Sequence, residues 1–379
     1  SVPGPEIRVT KGDVVEAVLR NTDIDEGVTL HWHGFPVPNG DDGVAGITQD
    51  AVPPGGQFVY RFLADRPGSF WYHTHQVSHV GVKRGLFGSF VVVDGQPDAE
   101  VDIAIPAHRL LLEDTDAAVR DVPPGARVRL RLVNADDNAH GFTVVGTPWR
   151  LKEIDGMPVA DPEQVSDRLL RLAAGGRYDV VFEMPAAAAG GVRVGVNGRT
   201  RLILSGPPVE AVPTVPTALP QLDPLAYGQA PQPPPEPFDR THLIVLDRQV
   251  RVVNRLPQLA YTVNGRAWPD VPPLTVRQGE WVKLTVVNRD RESHPMHPHG
   301  HHVLVLSRDG VPASGSPLWM DSFDVLAGET WEVALRADNP GVWAAHCHNL
   351  PHAVKGMMLH LLYEGVNSPY HPGGHNHPE

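Results

Sequence analysis

GEWVKLTVVN, residues 279–288, alternates apolar and polar positions between a glycine and an asparagine. That period puts every second side chain on one face, as a half-buried strand requires. The same frame occurs twice more, as GDVVEAVLRN (12–21) and GARVRLRLVN (125–134). A His-Gly pair follows each copy, at His33-Gly34, His140-Gly141 and His299-Gly300. Then comes a glycine-flanked strand entry: PGSFWYHTH (67–75), GGVRVGVNG (190–198) and PGVWAAHCH (340–348). Few stretches show helical periodicity. The repeat predicts an all-β chain made of three copies of one β-sandwich module.

The length of 379 residues suits several cores better than one. Apolar residues make up 41% but form no run near the roughly 18 needed for a membrane span. A net charge of -12 without a basic stripe argues against nucleic acid and anionic membrane surfaces as partners. One cysteine rules out an intrachain disulfide framework.

The expected modules span 1–98, 99–206 and 240–366. Residues 207–239 are proline-rich and are expected to form an extended connector. Residues 367–379 read as a flexible, solvated tail carrying His371, His375 and His377. The third module has a strand-like stretch, YTVNGRAW, for which the first module has no counterpart, and no charged and apolar leader is present. The expectation is that a leader and a first strand were removed or are absent.

Twenty histidines are present, and most fall into tight clusters: HWHG (31–34), HTH (73–75), HPMHPHGH (294–301) and HCHNLPHAVKGMM (346–358). The middle module has NAH (138–140) and VNG (196–198) where the outer modules have His-x-His. Histidines that only filled space would recur in all copies, so their absence there favours ligation in the outer ones. On a strand His346 and His348 face one way and Cys347 the other, which sets two metal centres on opposite faces. A thiolate, two imidazoles and a distant thioether form the ligand set of a blue copper site. Cys347, His352 and Met357 supply three members locally and leave one histidine to be found elsewhere. Zinc also binds Cys and His, but a single thiolate with a methionine downstream suits copper better.

With these motifs in order, the chain closely resembles the multicopper oxidase family, and bacterial three-domain laccase-like enzymes in particular. The resemblance covers nearly the whole chain. It implies three consecutive cupredoxin-like Greek-key β-sandwich domains, the second without copper ligands, and four copper ions. His294, Cys347 and His352 match the type 1 ligands, with Met357 axial. His31 and His297 match type 2, and His33, His73, His75, His299, His346 and His348 match the type 3 pair. Asp42 matches an acidic residue near type 2 copper, with Asp41 adjoining it. With Cys347, His346 and His348 it makes up the expected catalytic set. Pro351 and Ala353 stand where related bacterial enzymes often carry a glutamate, so that family proton route is absent from the motif. His301 is expected beside the ligands or not at all, and His79, His108, His140, His242 and His360 are expected to be structural.

The implied reaction is one-electron oxidation of a phenol or aromatic amine at type 1 copper, coupled to reduction of dioxygen to water at the trinuclear cluster. A monomer in a secreted or periplasmic setting is expected. The alternative within the enzyme class is oxidation of Cu(I) or Mn(II). Six methionines and no methionine-rich insert weigh against the cuprous role. A non-enzymatic relative would lack ligands, and here all are present.

Overall fold

The repeated frames all form strands: Val14–Arg20, Arg127–Asn134 and Trp281–Asn288. In the computed structural model, residues 1–96, 98–113, 116–186, 191–205, 218–229, 235–253 and 256–379 are described. The glycine opening each frame has positive φ, 95° at Gly12, 79° at Gly125 and 90° at Gly279, a backbone state that glycine adopts without strain. The asparagine closing each frame is buried and ties the following loop to a neighbouring segment. Asn288 Nδ2 donates to the carbonyls of Glu292 (2.7 Å) and Val325 (2.9 Å), while its Oδ1 accepts from Asp290 N at 2.8 Å. Asn134 makes the same three bonds with Asn138, Leu172 and Asp136, and Asn21 makes its three with Ile24 and Val52. Leaving such a buried amide unpaired would cost about 1–3 kcal/mol. The repeated Gly and Asn therefore mark where each strand begins and where its exit loop is tied down.

In the C-terminal third, Trp281–Asn288 lies between Arg240–Val253, parallel to it, and Thr330–Arg336, antiparallel, within a seven-stranded sheet. A five-stranded sheet runs Leu274–Val276, Met358–Tyr363, Val342–Cys347, His294–Pro298, Phe323–Val325. Val282, Leu284 and Val286 share one core with Ala345, Leu359 and Leu361 of the second sheet. Each such buried Val or Leu contributes roughly 1.5–3 kcal/mol. The middle third holds two five-stranded sheets. The N-terminal part pairs a four-stranded sheet with only two strands, Val14–Arg20 and Gln57–Leu63. Trp32, Tyr60, Phe62, Phe70 and Phe90 form the core there.

Two stretches depart from expectation. Of the proline-rich connector, residues 207–217 and 230–234 lie outside the described residues. Residues 218–229 are packed, not extended: Leu222, Leu225 and Tyr227 are buried, and Leu151 N donates to the Tyr227 hydroxyl at 3.1 Å. Apolar side chains between the prolines provide that anchorage. Residues 367–379 are not a loose tail either. Ala51 N donates to Asn376 Oδ1 (2.9 Å), His377 N to Gln76 Oε1 (2.8 Å), and Val77 N to the His377 carbonyl (2.7 Å). Backbone groups of the segment thus find partners on the N-terminal unit, and Glu379 is buried while His371, His375 and His377 stay exposed.

Candidate metal centre

Strand pairing builds the site. His31 opposes His73 across one ladder. In the C-terminal sheet His297 opposes His346, and Met296 opposes Cys347. The alternation along Val342–Cys347 then sends His346 and Cys347 to opposite faces.

On one face Cys347 Sγ lies 3.7 Å from His294 Nδ1 and 3.7 Å from His352 Nδ1, and the two nitrogens are 3.2 Å apart. Atoms about 2.0–2.3 Å from one shared ion, and near-tetrahedrally disposed, stand at such spacings. His352 rides on the short helix Leu350–Val354. The chain then folds back, so that Cys347 N donates to the Met357 carbonyl at 3.0 Å. Met357 is fully buried beside the strand.

On the other face His346 Nε2 lies 3.2 Å from His75 Nε2 and 3.0 Å from His299 Nε2. His31, His33 and His73 form a second convergent group, and His31, His297 and His299 a third. The His348 ring is 4.8 Å from that of His33 and 5.5 Å from that of His73. All are buried. Among the described residues His31 Nε2, His33 Nδ1, His73 Nε2, His297 Nε2 and both nitrogens of His348 have no hydrogen-bond partner. Buried, unpaired nitrogens in such number would be costly unless a cation meets their lone pairs.

The remaining nitrogens fix which lone pair is free. His31 Nδ1 donates to the Asp42 carbonyl (2.8 Å), His297 Nδ1 to the Asp321 carbonyl (2.6 Å), and His73 Nδ1 to the Thr74 carbonyl (2.9 Å). His299 Nδ1 donates to the Asp42 carboxylate at 3.0 Å. His33 is reversed: its Nε2 faces Asp321 Oδ1 (3.2 Å) and Ser322 Oγ (3.1 Å), which leaves Nδ1 free. Burial first, then neighbouring histidines, hold His73, His75, His299 and His348 well below the usual imidazole range. Burial also lowers His294 and His346 to about 3. These rings are neutral, as ligation demands. Burial pushes the Cys347 thiol well up, so a cation is what would favour its thiolate.

Asp42 is thus placed among the histidines. Asp41 points outward and accepts from Arg61 N at 2.8 Å. His301 donates to the His299 carbonyl (2.9 Å), and its Nε2 meets the Tyr363 hydroxyl (2.7 Å), so it lies beside the cluster. His140, the histidine of the middle repeat, is engaged by Asp136 and Asn197.

Several site residues carried no signal in the sequence. Asp321 is fully buried and paired with Arg177 of the middle unit, Nη2 to Oδ2 at 2.6 Å. Burial opposes its ionisation, but Arg177 and hydrogen bonds from His302 and His33 outweigh that and hold the carboxyl well below its usual range. Among the described residues the middle unit supplies none of the convergent histidines, yet it steadies His33 and His297 through this pair. Tyr261 stacks on His352 with ring centroids 4.0 Å apart. Glu292 Oε2 lies 2.9 Å from His352 Nε2, with its side chain 44% exposed.

Family descriptions of multicopper oxidases match residues 1–97 and 231–365. A multicopper oxidase of Mycobacterium tuberculosis, MmcO, is 29% identical, over 96% of this chain and 82% of its own. Laccase-1 of Botryotinia fuckeliana is 27% identical over 96% of this chain and 77% of its own. The crystal structure of a multi-copper oxidase from Pseudomonas thermotolerans superposes with a TM-score of 0.76 at 26% identity, covering 96% and 92% of the two chains. This chain belongs to the multicopper oxidases: it is a copper-dependent oxidoreductase with oxygen as acceptor, built from cupredoxin-like sandwiches. The convergent histidines and Cys347 fit the family's copper ions.

Proposed function

We propose that the chain is a laccase-like oxidase that takes electrons from phenols or aromatic amines, acting as an exported monomer. Among the described residues no helix is long and apolar enough to cross a membrane. In this reading His294, Cys347, His352 and Met357 hold the type 1 ion, and His31 and His297 the type 2 ion. His33, His73, His75, His299, His346 and His348 hold the type 3 pair. The domain limits expected from the repeat, 1–98, 99–206 and 240–366, go with this assignment. The observation that carries it is the single strand on which Cys347 faces one ligand group while His346 faces the other. Copper, when bound, supplies one-electron chemistry at the thiolate and four-electron reduction of dioxygen at the histidine cluster. Cys347 and its two neighbours provide the covalent path between the two faces.

The reductant would meet the protein at His352. Its Nε2 edge points to the part-exposed Glu292, which also accepts from the Tyr261 hydroxyl at 3.0 Å. A phenol O–H or an amine N–H can donate to that carboxylate while the substrate ring lies against the imidazole edge. Asp290 Oδ2, 3.4 Å from His294 Nε2, adds a second carboxylate, and such a pair would favour a metal cation. Arg248 counters this reading: it lies 2.7 Å from Glu292 and 3.3 Å from Asp290, and offsets their charge.

Oxygen uptake against a phenol, Cu(I) and Mn(II) decides between the readings. The phenol is expected to give the highest kcat/KM. Glu292→Gln should raise its KM about 3- to 10-fold, as loss of one charged, part-exposed hydrogen bond would. Faster turnover of either metal ion, with the phenol unaffected by the substitution, would favour the metallo-oxidase instead.

A further inference from the structure

Glu379 lies outside every motif that marks the copper ligands, yet its side chain ends at the cluster. The residue is 8% exposed. Its Oε2 accepts from Ser78 Oγ at 2.5 Å. Its Oε1 lies 3.1 Å from His346 Nδ1 and 3.8 Å from His75 Nε2. The His346 Nδ1 hydrogen is directed at the Cys347 carbonyl, 3.1 Å away, so among the described residues Oε1 has no hydrogen-bond partner. A buried carboxylate oxygen in that state is unfavourable unless a proton or a positive charge meets it. The imidazoles of His346 and His75 adjoin it. What they offer is a converging set of lone pairs from His75, His299 and His346.

We propose that Glu379 is a positioning residue and counter-charge for the ion held by His75, His299 and His346, delivered to the cluster by the docked segment 367–379. This rests on the copper reading given above. The segment brings the carboxylate in through backbone bonds at Val77 and His377 and side-chain bonds at Gln76, Asn376 and Ser78. With an ion in place, the carboxylate offsets its charge, and Oε1, 3.1 Å from His346 Nδ1, can share that N–H with the Cys347 carbonyl. Groups that support a ligating histidine in this way typically contribute 10- to 100-fold in metal affinity.

The test is copper retention by the holoprotein during titration with a chelator, comparing wild type with Glu379→Gln and Ser78→Ala. Copper per chain is measured together with the visible band of the Cys347 centre. The wild-type copper count tests the underlying reading on its own. Glu379→Gln is expected to release one ion at a chelator concentration about 10- to 100-fold lower, with the visible band intact. Ser78→Ala should move the same way by less. Hydrogen exchange at the Val77 amide, bonded to the His377 carbonyl, should stay slow in both variants. Release indistinguishable from wild type would overturn the proposal. So would parallel loss of the Cys347 centre, or copper loss accompanied by fast Val77 exchange, which would make Glu379 only a clasp for the segment.

Discussion

Cys347→Ser is expected to abolish the intense visible absorption of a thiolate–copper bond and all oxidation of the reductant, while copper at the histidine cluster stays bound. Serine nearly preserves volume at this fully buried position, so the sandwich should survive. What goes is the soft, polarisable donor that defines the centre and couples it electronically to the strand. His294 and His352 remain, 3.2 Å apart at their Nδ1 atoms, but two imidazoles without the thiolate give no such band. The cluster is spared because His346 packs against His75 and His299 on the opposite face, reached only through the backbone. Visible spectra, copper content and oxygen uptake on one preparation check all three parts. A variant that stays blue would mean that Cys347 is no ligand, and one that loses all its copper would mean that the two faces are not independent.

Asp42→Asn should slow reoxidation of the reduced enzyme by dioxygen at least tenfold while leaving its reduction by substrate unchanged. Asp42 is fully buried. Its carboxylate lies 3.0 and 3.2 Å from His299 Nδ1 and 3.1 Å from His31 Nδ1. Asparagine keeps the shape but removes the charge that favours a hydrogen on both Nδ1 atoms. It also removes the acid nearest these rings, and positioned proton transfer is typically worth about 10²–10⁴-fold. His294, Cys347 and His352 do not touch Asp42, so reduction at their face has no reason to change. Stopped-flow mixing separates the two half-reactions. Asp41→Asn is the control, because that side chain holds a surface strand through Arg61 N. Unchanged reoxidation in Asp42→Asn, or the defect in Asp41→Asn, would move the role away from Asp42.

How much of this was legible in the sequence depends on the range of the interaction. The frame from Gly279 to Asn288 announced a strand because alternation, turn glycine and closing asparagine act within a few residues. The His-x-His pairs and Cys347 were legible for the same reason, since i and i+2 on a strand must share a face. Asp321, Arg177, Tyr261 and Glu292 were not. Each reaches a ligand only through packing between distant segments, and each looks locally like an ordinary polar or aromatic strand or loop residue. The docking of segment 367–379 is not legible because a Gly-, Pro- and His-rich stretch has the composition of a solvated tail. Its docking depends on backbone groups meeting Gln76 and Val77, which composition does not record. In the connector, Tyr227 and Leu225 were outvoted by their prolines for a similar reason.

In the copper reading, two metal centres of different chemistry lie on opposite faces of the strand ending at Cys347. Quantitative metal analysis of the copper-loaded protein, with EPR on the same sample, tests it most directly. About four copper ions per chain are expected, one in a thiolate-bound signal, one in an imidazole-bound signal, and the rest EPR-silent as a coupled pair. Zinc in place of copper, or copper confined to the Cys347 centre with the histidine cluster empty, would contradict it.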